Sequence, residues 1–261
     1  MASEIETSNQ TWRIIAASVC GSSHERDQQP GQDSFCWNIL TENILVAAVA
    51  DGASSAELGG IGATIAVQAV TKILTAFKVV NSLASTLDNA NELMTEVFQH
   101  ARLKVEQEAV HLKVDLRQLA TTLIVVIATQ QEVIASQIGD GGAVARDTDG
   151  TLFSLTVPDN GEYANETTFL TAPYAMTKLQ TKAWHGKIAQ IALFSDGLQR
   201  LALTKPTYSP HVPFFNPMLR FAAEADNIES ANTILEDFLR SPRVRNRTDD
   251  DATLLLASLN R

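Results

Sequence analysis

A chain of 261 residues with 45% apolar and 19% charged residues has the material for one large folded domain or two small ones, which excludes a disordered or collagen-like polymer. Its formal net charge of −10 speaks against a nucleic-acid surface, which needs lysine and arginine gathered on one face. No apolar run reaches the roughly 18 residues that span a bilayer, and residues 1–10, MASEIETSNQ, form an acidic polar tail where a signal peptide would be basic and then apolar, so a cytoplasmic protein without a membrane partner is expected.

In chain order, Thr11–Val19 (TWRIIAASV) predicts a first strand closed by Gly21-Ser22-Ser23, and a polar loop from His24 to Asp33 leads into a second strand, Ser34–Leu40. After the turn Thr41-Glu42-Asn43, the apolar run Ile44–Ala50 predicts a third strand. Strands so closely spaced read as antiparallel neighbours. From Ile61 to Val80 the period changes: Ile61, Ile65, Ala69, Ile73 and Phe77 recur at steps of four, flanked by Val67, Val70 and Leu74, the signature of a helix with a broad apolar face. A polar link, Asn81–Asp88, leads to a second helix from about Asn89 to Leu112, striped by Leu93, Val97, Ala101, Val105 and Ala109. Two long helices joined in this way form an antiparallel pair on a sheet.

Strand composition returns at Thr121–Ala128, turns at Gln130-Gln131-Glu132 and runs back along Val133–Ile138. A second hairpin, Ala143–Arg146 with Thr151–Val157, closes around Asp147-Thr148-Asp149-Gly150. Residues Pro158–Trp184 read as irregular, and Ile188–Phe194 as a strand. The four prolines of Thr204–Pro217 imply a loop or flap. A helix over Ser230–Leu239, a basic loop Arg243–Arg247, the acid cluster Asp249–Asp251 and a strand Thr253–Leu259 complete the series. No linker divides residues 11–261, which read as one domain.

Several of these strands stop in the same way. Asp33, Asp51, Asp140, Asp196 and the cluster Asp249–Asp251 each border an apolar run. Any one Asp-Gly is only a turn signal. Five acids at strand ends of one domain, however, can converge, and converging buried carboxylates need cations. Oxygen ligands without histidine or thiolate select Mg²⁺ or Mn²⁺. The five histidines are scattered, which disfavours zinc, and Cys20 and Cys36 lack metal spacing, so they read as buried reduced thiols.

The order of short motifs resembles the metal-dependent type-2C protein serine/threonine phosphatases of the bacterial type. The matching segments are QDSF at Gln32–Phe35, VADGAS at Val49–Ser54, ATTLIV at Ala120–Val125, IGDGGA at Ile138–Ala143, FSDGL at Phe194–Leu198 and DDAT at Asp250–Thr253. The resemblance implies an α+β fold of four layers, α-β-β-α, with a central antiparallel β-sandwich flanked by helix pairs. It implies hydrolysis of phosphoserine and phosphothreonine in phosphoprotein substrates by metal-activated water, with two Mn²⁺ or Mg²⁺ ions, a third held loosely, and no phosphoenzyme. Position by position, it makes Asp51 the carboxylate that bridges both ions and the Gly52 carbonyl a ligand of one. Asp196 and Asp250 become ligands of the other, Asp33 the acid that orients water, and Asp140 the acid of the third ion. Aligned on Ala252-Thr253, it puts Asp251 where Asn is also accepted.

Three departures bear on substrate binding. Gln32 stands where many members have Glu, Ala53 where some have a histidine that protonates the leaving group, and Gln28 where an arginine grips phosphate. His24 and Arg26 in the same loop are the candidates to replace that arginine. The alternative reading is a catalytically weak, phosphatase-like regulatory or binding module. A hydrolase using Asp51 as covalent nucleophile ranks lower, because the second acid expected two residues on is Ala53. Oligomeric state is not legible.

Overall fold

The computed structural model describes residues 11–40, 43–76, 89–159 and 167–259. Strands β1 (Trp12–Val19), β2 (Asp33–Ile39) and β3 (Leu45–Asp51) lead to helices α1 (Gly59–Ala76) and α2 (Ala90–Leu112). Then follow β4 (Leu123–Ala128), β5 (Glu132–Ile138), β6 (Gly142–Asp147), β7 (Leu152–Ser154), β8 (Gln180–His185) and β9 (Ile188–Phe194). A small ribbon, β10 (Leu203–Thr204) with β11 (Ser209–Pro210), precedes α3 (Val212–Glu224) and α4 (Ile228–Arg240), and β12 (Ala252–Leu259) comes last. The two large sheets run β2-β3-β4-β5-β8 and β1-β12-β9-β6-β7, with antiparallel pairing throughout.

Alternation along each strand builds the layers. In β3, Leu45, Ala47 and Val49 face the opposite sheet and meet Ile14, Ala16, Leu193 and Leu255. Val46, Ala48 and Ala50 face the other way, onto Val67 of α1 and Val97, Phe98 and Ala101 of α2. On the second sheet, Ile15, Phe194, Leu254 and Leu256 turn toward Phe215 and Leu219 of α3 and Leu235 and Leu239 of α4. Because side chains of a strand alternate between faces, a run buried on both faces is apolar throughout and still feeds two separate cores. The result is the four-layer α-β-β-α sandwich implied by the motifs.

Several local expectations change. β1 does not pair with β2 but with β12 in the other sheet. The chain crosses between sheets through a helical turn, Ser22–Arg26, at the start of what reads as loop in the sequence. Helix α1 buries Val67, Ala69, Val70 and Leu74 of the expected face together with Gly62, Ala63 and Ala66, while Ile65 and Ile73 are only partly buried and Ile61 is 39% exposed. The small residues decide this: a Cβ on Gly62 would lie 2.2 Å from the Leu119 carbonyl oxygen, so the helix sits closer than an isoleucine face allows. At 18 residues and a mean hydropathy of 1.2, α1 does reach the length and apolarity of a membrane span, but half of it is buried inside the fold. The continuation expected over Phe77–Val80, the link Asn81–Asp88 and the tail 1–10 lie outside the described residues.

Further on, the stretch expected to be irregular contains β8, an edge strand of mostly polar, partly exposed residues whose lack of apolar alternation hides it. The proline-rich flap region contributes the β10–β11 ribbon and the start of α3. There Pro213 lies in the first turn, where a missing N–H costs no hydrogen bond, and Pro217 lies inside the helix. The basic loop begins with a helical turn, Pro242–Arg245. Cys20 and Cys36 are free and half-buried rather than fully buried.

Candidate metal centre and active site

Asp51 ends β3, and the residues before β4 clamp its backbone. Its N–H donates to Thr122 Oγ1 (3.0 Å), while its carbonyl accepts from the Thr122 N–H (2.8 Å) and Thr121 Oγ1 (3.0 Å). Sequence composition makes these threonines ordinary strand material; the fold makes them the supports of the central carboxylate. Gly52 is needed for packing as well, because a Cβ there would meet the Gly59 carbonyl carbon at 2.3 Å where α1 begins.

Asp33 opens β2 directly opposite Asp51. Its Oδ2 accepts from Ser195 Oγ (2.6 Å) and Thr253 Oγ1 (2.7 Å), both carried by the other sheet. Ser195 Oγ in turn accepts the Thr253 N–H (3.0 Å). Asp196 follows Ser195 at the end of β9, as the first residue of a 3-10 turn, with its carboxyl within hydrogen-bonding reach of Asp51. Asp140 lies in the turn from β5 to β6, where its Oδ2 accepts from Thr167 Oγ1 (2.5 Å) and its carbonyl from Gln199 Nε2 (3.0 Å). That turn requires glycine at 139, which has φ +116°. Asp250 stands before β12, its Oδ1 accepting the Asp251 N–H (2.8 Å).

The carboxylates therefore crowd one another. Burial first, and then the charges of Asp251 and Asp196, push Asp33 up to about 7 against the pull of its two hydroxyl donors. Asp196 is pushed up to about 6 by burial and then by Asp140 and Asp250. Burial, with Asp33 and Asp196 as neighbours, holds Asp51 well above the ordinary carboxylate range. Asp140 and Asp250 are raised too, each by burial first. Asp33 Oδ1 and Asp196 Oδ1 are buried with no hydrogen-bond partner among the described residues. Crowded carboxylates with orphaned oxygens and no nitrogen or sulfur donor among them fit a hard divalent cation. The residues present thus suit Mn²⁺ or Mg²⁺.

Beside these acids opens a cleft of ≈ 540 Å³ lined by Asp140, Asp196, Asp249 and Asp250, and also by Arg200 and Lys205. Both cations are exposed, and Lys205 Nζ sits 5.7 Å from the centre of the Tyr208 ring. Nothing in the local sequence marks them; only the fold of the segment after β9 brings them to the acids.

The loop residues divide. His24 is 5% exposed, with Nδ1 2.9 Å from Asp251 Oδ1, so it does not face substrate as expected. Asp251 is the reason. Its carboxylate also accepts the N–H groups of Gly21 (2.6 Å) and Gln32 (2.5 Å), which ties both ends of the loop to the start of β12. Cys20, His24 and Asp251 bring ligand atoms within 4.8 Å of one another, but the Asp251 oxygens are occupied by these donors and the trio is a lock for the loop. Arg26 is exposed, donates through Nε to the Ser22 carbonyl (3.1 Å) and stands 3.6 Å from Asp249 at the rim of the cleft. Ala53 is 5% exposed and packs with Ala56 and Ala120, which leaves no room for a histidine. Gln32 is buried, donating through Nε2 to the Ala56 carbonyl (3.3 Å).

Comparison with known proteins agrees with this geometry. Residues 20–240 match the family model described as protein phosphatase 2C. The chain is 38% identical over 253 residues to Serine/threonine-protein phosphatase 3 of Escherichia coli (strain K12), covering 95% of this chain and 98% of that one. Among solved structures, the serine/threonine phosphatase of S. agalactiae superposes with a TM-score of 0.65 at 13% identity, covering 95% of this chain and all of that one. The catalytic domain of the phosphatase PstP, solved with 2 manganese ions, superposes with a TM-score of 0.63 at 15% identity, over 97% of this chain and 100% of that chain. With a family match across most of its length and a near full-length relative, the chain belongs to the protein phosphatase 2C family of metal-dependent serine/threonine phosphatases.

Proposed function

We propose that the protein hydrolyses phosphoserine and phosphothreonine in protein substrates at the acid cluster at the ends of β3 and β9. The observation that carries this is the convergence of Asp33, Asp51, Asp140, Asp196 and Asp250 from both sheets at one cleft. Asp51, the Gly52 carbonyl, Asp196 and Asp250 would hold two divalent ions, with Asp140 at a third. Bound ions supply an activated water and positive charge for the phosphate oxygens. The chain's own residues do the rest. Thr121 and Thr122 fix the backbone of Asp51, while Ser195 and Thr253 occupy Asp33 Oδ2 and leave Oδ1 as the acceptor that orients water. Arg200, Lys205 and Arg26 offer positive charge around the cleft in place of the arginine absent at Gln28.

The relative's name and the family match favour catalysis over a binding module. Phosphopeptide hydrolysis measured with Mn²⁺, with Mg²⁺ and with excess chelator tests the reading. Turnover that depends on the ion and vanishes with chelator is expected; full turnover in chelator would reject it.

A further inference from the structure

At the far ends of β6, β9 and β12, the strands whose near ends border Asp140, Asp196 and Asp250, the chain gathers positive charge. Arg13 on β1 pairs with Ser258 on β12, Ser258 with Gln190 on β9, and Gln190 with Arg146 on β6. These four form one continuous row across the sheet. They share the strand face of Ile15, Leu256, Ala192 and Val144, which packs against α3 and α4. The row lines a cavity of ≈ 530 Å³, and Arg220 of α3 lines it too. Three arginines thus meet at one concave site in a chain of net charge −10.

Among the described residues, no ion pair involves Arg13, Arg146 or Arg220. Arg13 donates to the Ala223 carbonyl (2.5 Å), and Arg146 donates to Gln190 Oε1 (3.1 Å) and to Asn216 Oδ1, all neutral acceptors. Arg146 Nε is buried with no hydrogen-bond partner among the described residues. The one carboxylate on the lining, Asp147, spends Oδ1 on the N–H groups of Asp149 and Thr151 within its own turn. Burial and the facing charge of Arg220 pull Arg146 below the usual arginine range. Three guanidinium groups against one carboxylate, itself bonded within its own turn, give the lining a net positive charge suited to an anion.

We propose that this cavity binds a phosphorylated small molecule carrying at least two phosphate groups. Several arginines meeting at one site match more than one negative charge, and the planar guanidinium pairs with phosphate oxygens two at a time. The volume lies within the range of about 300–1,000 Å³ for small-molecule sites. The site is distinct from the metal cleft, with which it shares no lining residue.

Calorimetric titration with pyrophosphate and with ADP, in excess chelator so that the acid cleft offers no metal to phosphate, is the test. Wild type is expected to bind one equivalent. Arg220→Gln, at an exposed position, should weaken binding by about tenfold or more, the scale of one lost charge-assisted hydrogen bond. Arg146→Gln combined with Arg220→Gln should abolish it, and Asp51→Asn should leave it unchanged. Should the double variant fail to fold, Arg220→Gln alone decides. Absence of wild-type binding at millimolar ligand, undiminished binding in Arg220→Gln, or loss of binding in Asp51→Asn overturns the proposal, as does binding of an acidic peptide where pyrophosphate and ADP fail.

Discussion

Asp33 and Asp51 are cross-strand partners, directly opposite at the end of the β2–β3 ladder. Like charges so placed destabilise a sheet, and here Asp196 joins them from the second sheet. Activity and metal-free stability are therefore set against each other at the same residues.

Asp51→Asn removes a buried carboxyl whose ionisation burial, Asp33 and Asp196 all oppose, along with the proposed bridging ligand. Its phosphatase activity should fall by about three orders of magnitude or more, while its melting temperature in chelator should rise. Activity within a few-fold of wild type would move the site elsewhere. A lower melting temperature in chelator would mean that repulsion is not what Asp51 contributes.

The raised acids give the metal-free protein a definite pH response. Asp33 at about 7 and Asp196 at about 6 in the folded state lie above the ordinary aspartate value of 3.8, so folding retains protons that the unfolded chain releases. That stabilisation is complete below about pH 4 and is lost as pH rises through 6 to 7. Cations compete with those protons, so the gain in melting temperature on adding Mn²⁺ should grow between about pH 5 and pH 8. A gain independent of pH would show that these carboxylates are not where the ion binds.

Neighbouring acids in the last cluster should fail in different ways. Asp250→Asn should weaken Mn²⁺ dependence strongly with little change in metal-free melting. Asp251→Asn places an amide among three donors that now meet a carboxylate, so it should cost about 1–3 kcal/mol of stability and loosen the loop that leads into Asp33. This revises the expectation, from the family register, that Asn serves equally at 251. Denaturant melts and Mn²⁺ titrations of both variants separate the two effects.

Replacing cations around the cleft should spare the ions and affect the substrate. Arg200→Ala and Lys205→Ala should each raise KM for phosphopeptide several-fold, at a cost of about 1 kcal/mol for an exposed charge contact. His24→Ala should act instead on stability, since it removes a partner of buried Asp251. If His24→Ala changes KM alone while both cleft variants leave it unaltered, substrate recognition belongs to the loop.

What the sequence made legible follows from how local each cause is. The strands ending in Asp51, Asp140 and Asp196 announce themselves because each apolar run and its terminal acid are adjacent in the chain. The partners of Asp33 do not, since Ser195 and Thr253 are 162 and 220 residues away. Edge strand β8 carries too little apolar pattern to be seen. The face of α1 is legible through Val67, Val70 and Leu74, but Ile61 turns outward because glycine and alanine, not the larger side chains, set how closely that helix approaches its neighbours. His24 reads as a surface residue until Asp251, 227 positions later, is found beneath it.

The two large sheets share no strand, and this makes the acid cluster a seam as well as the proposed reaction centre. At that edge Asp33 stitches β2 to the opposite sheet through Ser195 and Thr253, while the surrounding negative charges pry the layers apart. A cation held by acids from both layers would act as a rivet through them, so amide protons at the ends of β2, β3 and β9 should exchange faster in chelator than with Mn²⁺.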